Sequence, residues 1–214
     1  MELKSETKKT IEPVEMEEIK RERETHSLWL ERISFRLVLI SIFSALAVVL
    51  GYILYHLPNI ELLTLTIFLS GFILGKREGI IVGLLSSFIF CFFNPYGASP
   101  LPLLTLQLIH YSLTGLIGAL ISDFFQKKGI SKEDDDLYKF SNMAIFGCIG
   151  ALITLNYHIF YLFINFLSFF GALNEFYLFF LADIGFTAVH IIGNTLSFIF
   201  ILPGLIQLVN KILY

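Results

Sequence analysis

Residues 60–97 read IELLTLTIFLSGFILGKREGIIVGLLSSFIFCFFNPYG, and the number of membrane crossings in this stretch decides the fold. One apolar run, 60–74, stops at Gly75-Lys76-Arg77-Glu78. A second, 79–93, stops at Asn94-Pro95-Tyr96-Gly97. At a rise of 1.5 Å per residue, about 20 residues are needed to cross the hydrocarbon, so both runs are short. Either they span thinly, or the neighbouring loops enter the protein at membrane depth. Non-helical backbone is tolerated there only if buried in protein or lining a cavity.

Four further runs flank this pair: 37–57, ended by Pro58; 103–121; 140–169; and a last one that follows Gly171 to Glu175 and reaches 202. Pro203-Gly204 interrupts the last run, with room for a short final helix. Of the 214 residues, 56% are hydrophobic and 15% charged, too apolar for a domain whose whole exterior faces water. The 23 phenylalanines show little amphipathic alternation, which suits helices apolar on most sides. The expected fold is therefore an all-α membrane protein, a six-helix transmembrane bundle over 36–214. A charged tail, 1–35, precedes it, disordered through Pro13. From Val14 to Arg36, Ile19, Leu28, Trp29 and Ile33 offer a weak amphipathic helix for the headgroup layer, against the simpler reading of a solvated tail.

Charge assigns the sides. All 15 Lys and Arg residues fall on one face of the six-span arrangement: the tail, Lys76-Arg77, the 127–139 loop and Lys211. The opposite loops, at Pro58, 94–102 and 171–175, carry none. The positive-inside rule makes the basic face cytoplasmic, with both termini inside and the plasma membrane as location. A re-entrant pair at 60–93 would put the later loops on the wrong side.

Small residues recur at four-residue spacing: Gly71, Gly75, Gly79 and Gly83; Ser41 and Ala45; Ala47 and Gly51; Gly115 and Ala119; Gly147 and Ala151. Such spacing makes a flat helix face on which backbones approach closely, and packing within the bundle is the expected use. Cys91 and Cys148, alone in apolar runs, read as small packing residues rather than a disulfide or zinc framework.

Polar groups inside spans are costly, so their alignment carries information. In the last span Asp183, Thr187, His190, Asn194 and Ser197 share one helical face. Thr154, His158, Tyr161, Asn165 and Ser168 do so in the fifth, and Gln107, Tyr111, Thr114 and Gly118 in the fourth, with His110 adjacent. The three stripes face one another rather than lipid. By topology Gln107, Tyr111, Tyr161, Asn165, Asp183 and Thr187 lie in the external half. The expected result is a pocket open to the outside, rimmed by Asn94, Tyr96 and Glu175. The plainer alternative is interhelical hydrogen bonding that fills a packed core, with His158 and His190 as satisfied core histidines.

No Walker-type loop, GxSxG elbow or HExxH helix is present, so the chain carries no ATPase, easy hydrolase or metalloprotease signature. The spacing of His110, His158 and His190 matches no metal motif. No metal, cofactor or nucleic-acid partner is expected.

The chain resembles the substrate-binding S components of energy-coupling factor (ECF) vitamin transporters. The likeness lies in Ser44-Ala45-Leu46-Ala47-Val48-Val49-Leu50, in Leu57-Pro58-Asn59-Ile60-Glu61-Leu62-Leu63-Thr64-Leu65, in the glycine ladder from Gly71 to Gly83, and in Phe93-Asn94-Pro95-Tyr96-Gly97. It covers roughly Phe35 to Leu208 through loose small-residue motifs. It implies capture of a vitamin or related micronutrient from outside, using a site drawn from Asn94, Tyr96, Gln107, Tyr111, His158, Tyr161, Asn165, Glu175, Asp183, Thr187 and His190. It also implies docking through the first helix onto a transmembrane coupling subunit that is bound to two ATPase subunits. The family's alanine pair there is matched by Ser41, conservatively, and Ala45. The charged tail departs from the family pattern. Tyr96, Tyr111, Tyr157, Tyr161, Phe176 and Tyr177 would stack on a flat ring or pack against a macrocycle. Asp183 or Glu175 would pair with a cationic group, and the absence of Lys and Arg disfavours a strongly anionic ligand. Two other classes compete: an intramembrane enzyme using Asp183, His190 and His158, and a scaffold whose stripes only glue the bundle.

Overall fold

A computed structural model describes residues 32–54, 57, 60–94, 97–130, 135–168 and 173–213. The expected tail helix and Tyr96 lie outside them. Among the described residues the fold is all-helical: α1 (Ile33–Ile53), α2 (Leu63–Leu74), α3 (Lys76–Phe92), α4 (Leu101–Lys127), α5 (Phe140–Ser168), α6 (Leu173–Phe200) and α7 (Leu202–Leu213), with a 3-10 turn at Asp135–Tyr138. Four helices, α1, α4, α5 and α6, are long and apolar enough to cross a membrane.

The stretch that decides the fold becomes α2 and α3. The 12 residues of α2 cover only about 18 Å. It does not need to meet lipid, because Leu63 to Ile73 are all buried. A helix apolar all round belongs inside a protein, and α1, α3, α4, α6 and α7 sheathe this one. Phe68 packs edge-on to Phe198 at 5.1 Å, and Phe72 reaches Phe125 at 6.0 Å and Phe146 at 6.2 Å. The chain ahead of α2 is non-helical at Ile60 to Leu62. Of the two readings of the short runs, backbone entering the protein therefore fits this end of α2.

Gly75 separates α2 from α3 with φ 108°, a conformation that L side chains rarely adopt. The glycine ladder then works as internal packing, as expected. A Cβ built on Gly71 would lie 1.8 Å from the Gly115 carbonyl oxygen, and one on Gly115 would lie 2.1 Å from that of Gly79. Gly83 and Gly118 meet the backbones of Tyr111 and Phe68 just as closely. Helices α2, α3 and α4 thus touch backbone to backbone. At the same end Arg36 pairs with the buried Glu78, and Lys76 with Asp123, each at 2.9 Å. Ser41 and Ala45 stay on the exposed face of α1, where the Ser41 hydroxyl donates to the Leu37 carbonyl at 3.0 Å.

Candidate substrate cleft

At the other end the helices part. The cleft, of about 460 Å³, gathers the C-terminal ends of α1 and α3, the backbone ahead of α2, the start of α4, and the mid-lengths of α5 and α6. Its wall includes Glu61, Cys91, Asn94, Gln107, Tyr111, Tyr157, His158, Tyr161, Asp183 and His190. Among the described residues no Lys or Arg lines it. Helices α4 and α5 touch sparsely, in contrast to α3 with α4. The gap between them is the cleft.

One side of the wall is a continuous polar chain. Thr64 in the first turn of α2 gives the Glu61 carboxylate two donors, its backbone N–H at 2.9 Å and its hydroxyl. Glu61 Oε1 lies 3.4 Å from His190 Nε2, and His190 Nδ1 lies 3.0 Å from His158 Nε2. The Thr187 hydroxyl sits 2.9 Å from both His158 Nδ1 and Asp183 Oδ2. His158 and His190 are almost fully buried, as the cost of a polar group at membrane depth demands when it has partners. Beside this chain the wall is aromatic, with Tyr157 edge-on to His158 at 5.5 Å. Tyr157 stacks on Tyr161, with ring centroids 6.0 Å apart and planes 16° apart, and packs on His110 at 5.0 Å. Gln107 Nε2 approaches the Tyr157 hydroxyl at 3.4 Å, while its Oε1 is buried with no partner among the described residues.

Below the cleft the α5 and α6 stripes change character. Asn194 donates to Thr154 at 2.9 Å, and Ser197 donates to the Asn194 carbonyl. The Asn194–Thr154 bond joins the two helices, and the Ser197 hydroxyl is taken up by the backbone of α6 itself.

A family model for the ECF transporter substrate-specific component matches residues 35–212. The chain belongs to that family. It is therefore a multi-pass membrane protein and a substrate-binding transporter subunit of the kind that works with an ECF module, not an enzyme. No curated protein and no solved structure matches the chain.

Against the expected S-component site, the fold brings Asn94, Gln107, Tyr111, His158, Tyr161, Asp183 and His190 to one cleft, with Thr187 bonded into its wall. Asn165 does not line it, because its amide donates to the Tyr161 carbonyl of its own helix at 2.8 Å. Glu175 is exposed in the first turn of α6, away from the wall. The sequence reading gave Glu61 and Phe90 no place in the site and took Cys91 for a packing residue, yet all three line the cleft. An acidic residue at the head of an apolar run was the available signal, since ionisable groups at membrane depth mark functional sites. Its partner His190 is 129 residues away, so no local pattern exposes it. Among the described residues no cluster of His, Cys, Asp and Glu has the arrangement to hold a metal ion.

Proposed function

We propose that this S component captures a vitamin-like micronutrient in the cleft from outside the cell. ATP hydrolysis by two partner ATPases, acting through a transmembrane coupling subunit, then drives its entry. The observation that carries this reading is the cleft itself. An aromatic cluster adjoins a fixed polar chain, and a buried Gln107 acceptor awaits a donor. Ligand sites are largely preformed, apolar hollows with a few placed polar groups, and about 300–1,000 Å³ is their usual size. A bundle that was only a scaffold would close this gap, as it does between α3 and α4.

The membrane arrangement follows the charge pattern: plasma membrane, both termini inside, and six crossings, with the sheltered α2 and the half-exposed α3 as the short pair. Basic Arg36, Lys76 and Lys127 stand at the end opposite the cleft. The exposed Ser41 and Ala45 on α1 form a small-residue face for the coupling subunit, where a side chain no larger than serine lets another helix approach.

The test is mass spectrometry of small molecules released from protein purified in mild detergent after growth in vitamin-rich medium. A near-stoichiometric vitamin is expected. Failure to find one, together with no thermal shift from a vitamin panel, would sink the capture reading.

A further inference from the structure

The polar chain of the cleft is short of a proton. It contains four contacts in series: Glu61 to His190, His190 to His158, His158 to Thr187, and Thr187 to Asp183. Each contact needs one hydrogen. An ionised carboxylate only accepts, a neutral imidazole has one N–H, and a threonine hydroxyl has one O–H. With both carboxylates ionised and both rings neutral, three hydrogens serve four contacts. Thr187 shows the conflict directly, since its hydroxyl cannot donate both to His158 and to Asp183. One more proton, on a ring or on a carboxyl, completes the series and lowers its net charge from −2 to −1.

Among the described residues no Lys or Arg lines the cleft to balance that charge. The groups facing the chain are Cys91 from α3, Tyr111 from α4 and Tyr157 and Tyr161 from α5, with His110 behind Tyr157. A residual negative charge in a largely apolar bundle is costly unless paired. The stacked tyrosines adjoin it, with Tyr157 edge-on to His158 at 5.5 Å and to His190 at 6.3 Å, and the buried Gln107 Oε1 has no partner among the described residues; aromatic faces attract cations.

We propose that this chain is a one-proton site whose proton yields to a positively charged group on the ligand, so that the cleft selects a cationic, flat-ring compound and releases a proton on binding it. The inference rests on the capture reading for its biological use, but the proton count stands without it.

Three measurements on the full chain in nanodiscs test it. In nitrogen-15 spectra of labelled histidine, the wild-type protein at neutral pH should show one imidazolium's worth of proton within the His158–His190 pair, or a titrating carboxyl in its place. Glu61→Gln supplies an N–H where the hydrogen is missing and should return both rings to the neutral form. A wild-type chain with two neutral rings, two ionised carboxylates and spectra unmoved by Glu61→Gln overturns the proton count. For charge selection, the probes are 1-methylnicotinamide, a cation, and nicotinamide, a neutral compound with the same ring. The cation should bind at least tenfold tighter, and its Kd should fall about tenfold per unit rise in pH while the chain holds its proton. Equal binding of the two, binding of neither, or a flat pH profile for the cation overturns the exchange. The third readout is the identity of the co-purified molecule. A neutral or anionic vitamin refutes the charge selection and leaves capture standing. An empty protein that still shows the shared proton and prefers the cationic probe refutes capture alone.

Discussion

The two ends of helix α4 are built on opposite terms. Toward its C-terminal half, Gly115 and Gly118 meet α2 and α3 with no side chain between backbones, and contact there is as close as helices allow. One to two turns earlier, Gln107, His110 and Tyr111 hold α4 away from α5, and the space between becomes the cleft. The same contrast divides α6. Asn194 bonds α6 to α5 and Ser197 is taken up by the backbone of α6, whereas Asp183 and His190 border an opening with Thr187 bonded between Asp183 and His158. A polar or small residue in a membrane helix therefore has no fixed meaning. Whether it packs or binds depends on whether its neighbour's side chain fills the gap.

The largest effect expected is at the closed end. Gly115→Val places carbon against the Gly79 carbonyl, with backbone on both sides and nothing flexible to yield. A loss of about 3 kcal/mol or more is expected, read as a collapsed thermal melt and aggregation on size exclusion. A well-folded Gly115→Val protein would break the comparison, since it would mean the helices are not in backbone contact.

At the open end the order reverses, with binding lost and the fold kept. Asp183→Asn removes a charge facing the cleft and leaves Thr187 only a neutral amide oxygen to donate to. Charged hydrogen bonds contribute about 1.5–3 kcal/mol, so affinity for the co-purified ligand should fall roughly 10- to 150-fold. Titration calorimetry measures the affinity, and an unchanged melt shows that the fold persists.

Asn194→Ala sharpens the boundary between the two ends. It breaks the α5–α6 bond to Thr154 and should lower stability by about 1 kcal/mol without moving ligand affinity. A comparable loss of affinity would extend the site below the cleft. Smallest of all is Ser41→Ala, which removes only a hydroxyl bonded to its own helix. It should leave melt, affinity and transport unchanged, whereas Ser41→Leu should block transport in the reconstituted complex and leave affinity intact.

Much of this was legible in the residues themselves. Hydrocarbon tolerates only internally bonded backbone, so long apolar runs between charged turns could be read as helices, and they are α1, α4, α5 and α6. The two short runs were legible as helices but not in their placement. That α2 is wrapped by five other helices follows from distant contacts, which a local pattern does not encode. Helical periodicity put Asp183, Thr187 and His190 on one face, and that holds because the period is a property of the backbone. Asn165 obeyed the same reasoning, and Glu175 was expected at the rim from its loop's place in the topology; neither lines the cleft. Asn165 turned to its own backbone, and Glu175 stands on an exposed first turn.

The sequence by itself determined the solvent, the helices and the family, because hydropathy, period and small-residue spacing are local quantities. Only the tertiary structure decided which polar groups are used up in packing and which border a cavity. It alone joined Glu61 to His190 across 129 residues, because that contact exists only once α2 lies inside the bundle.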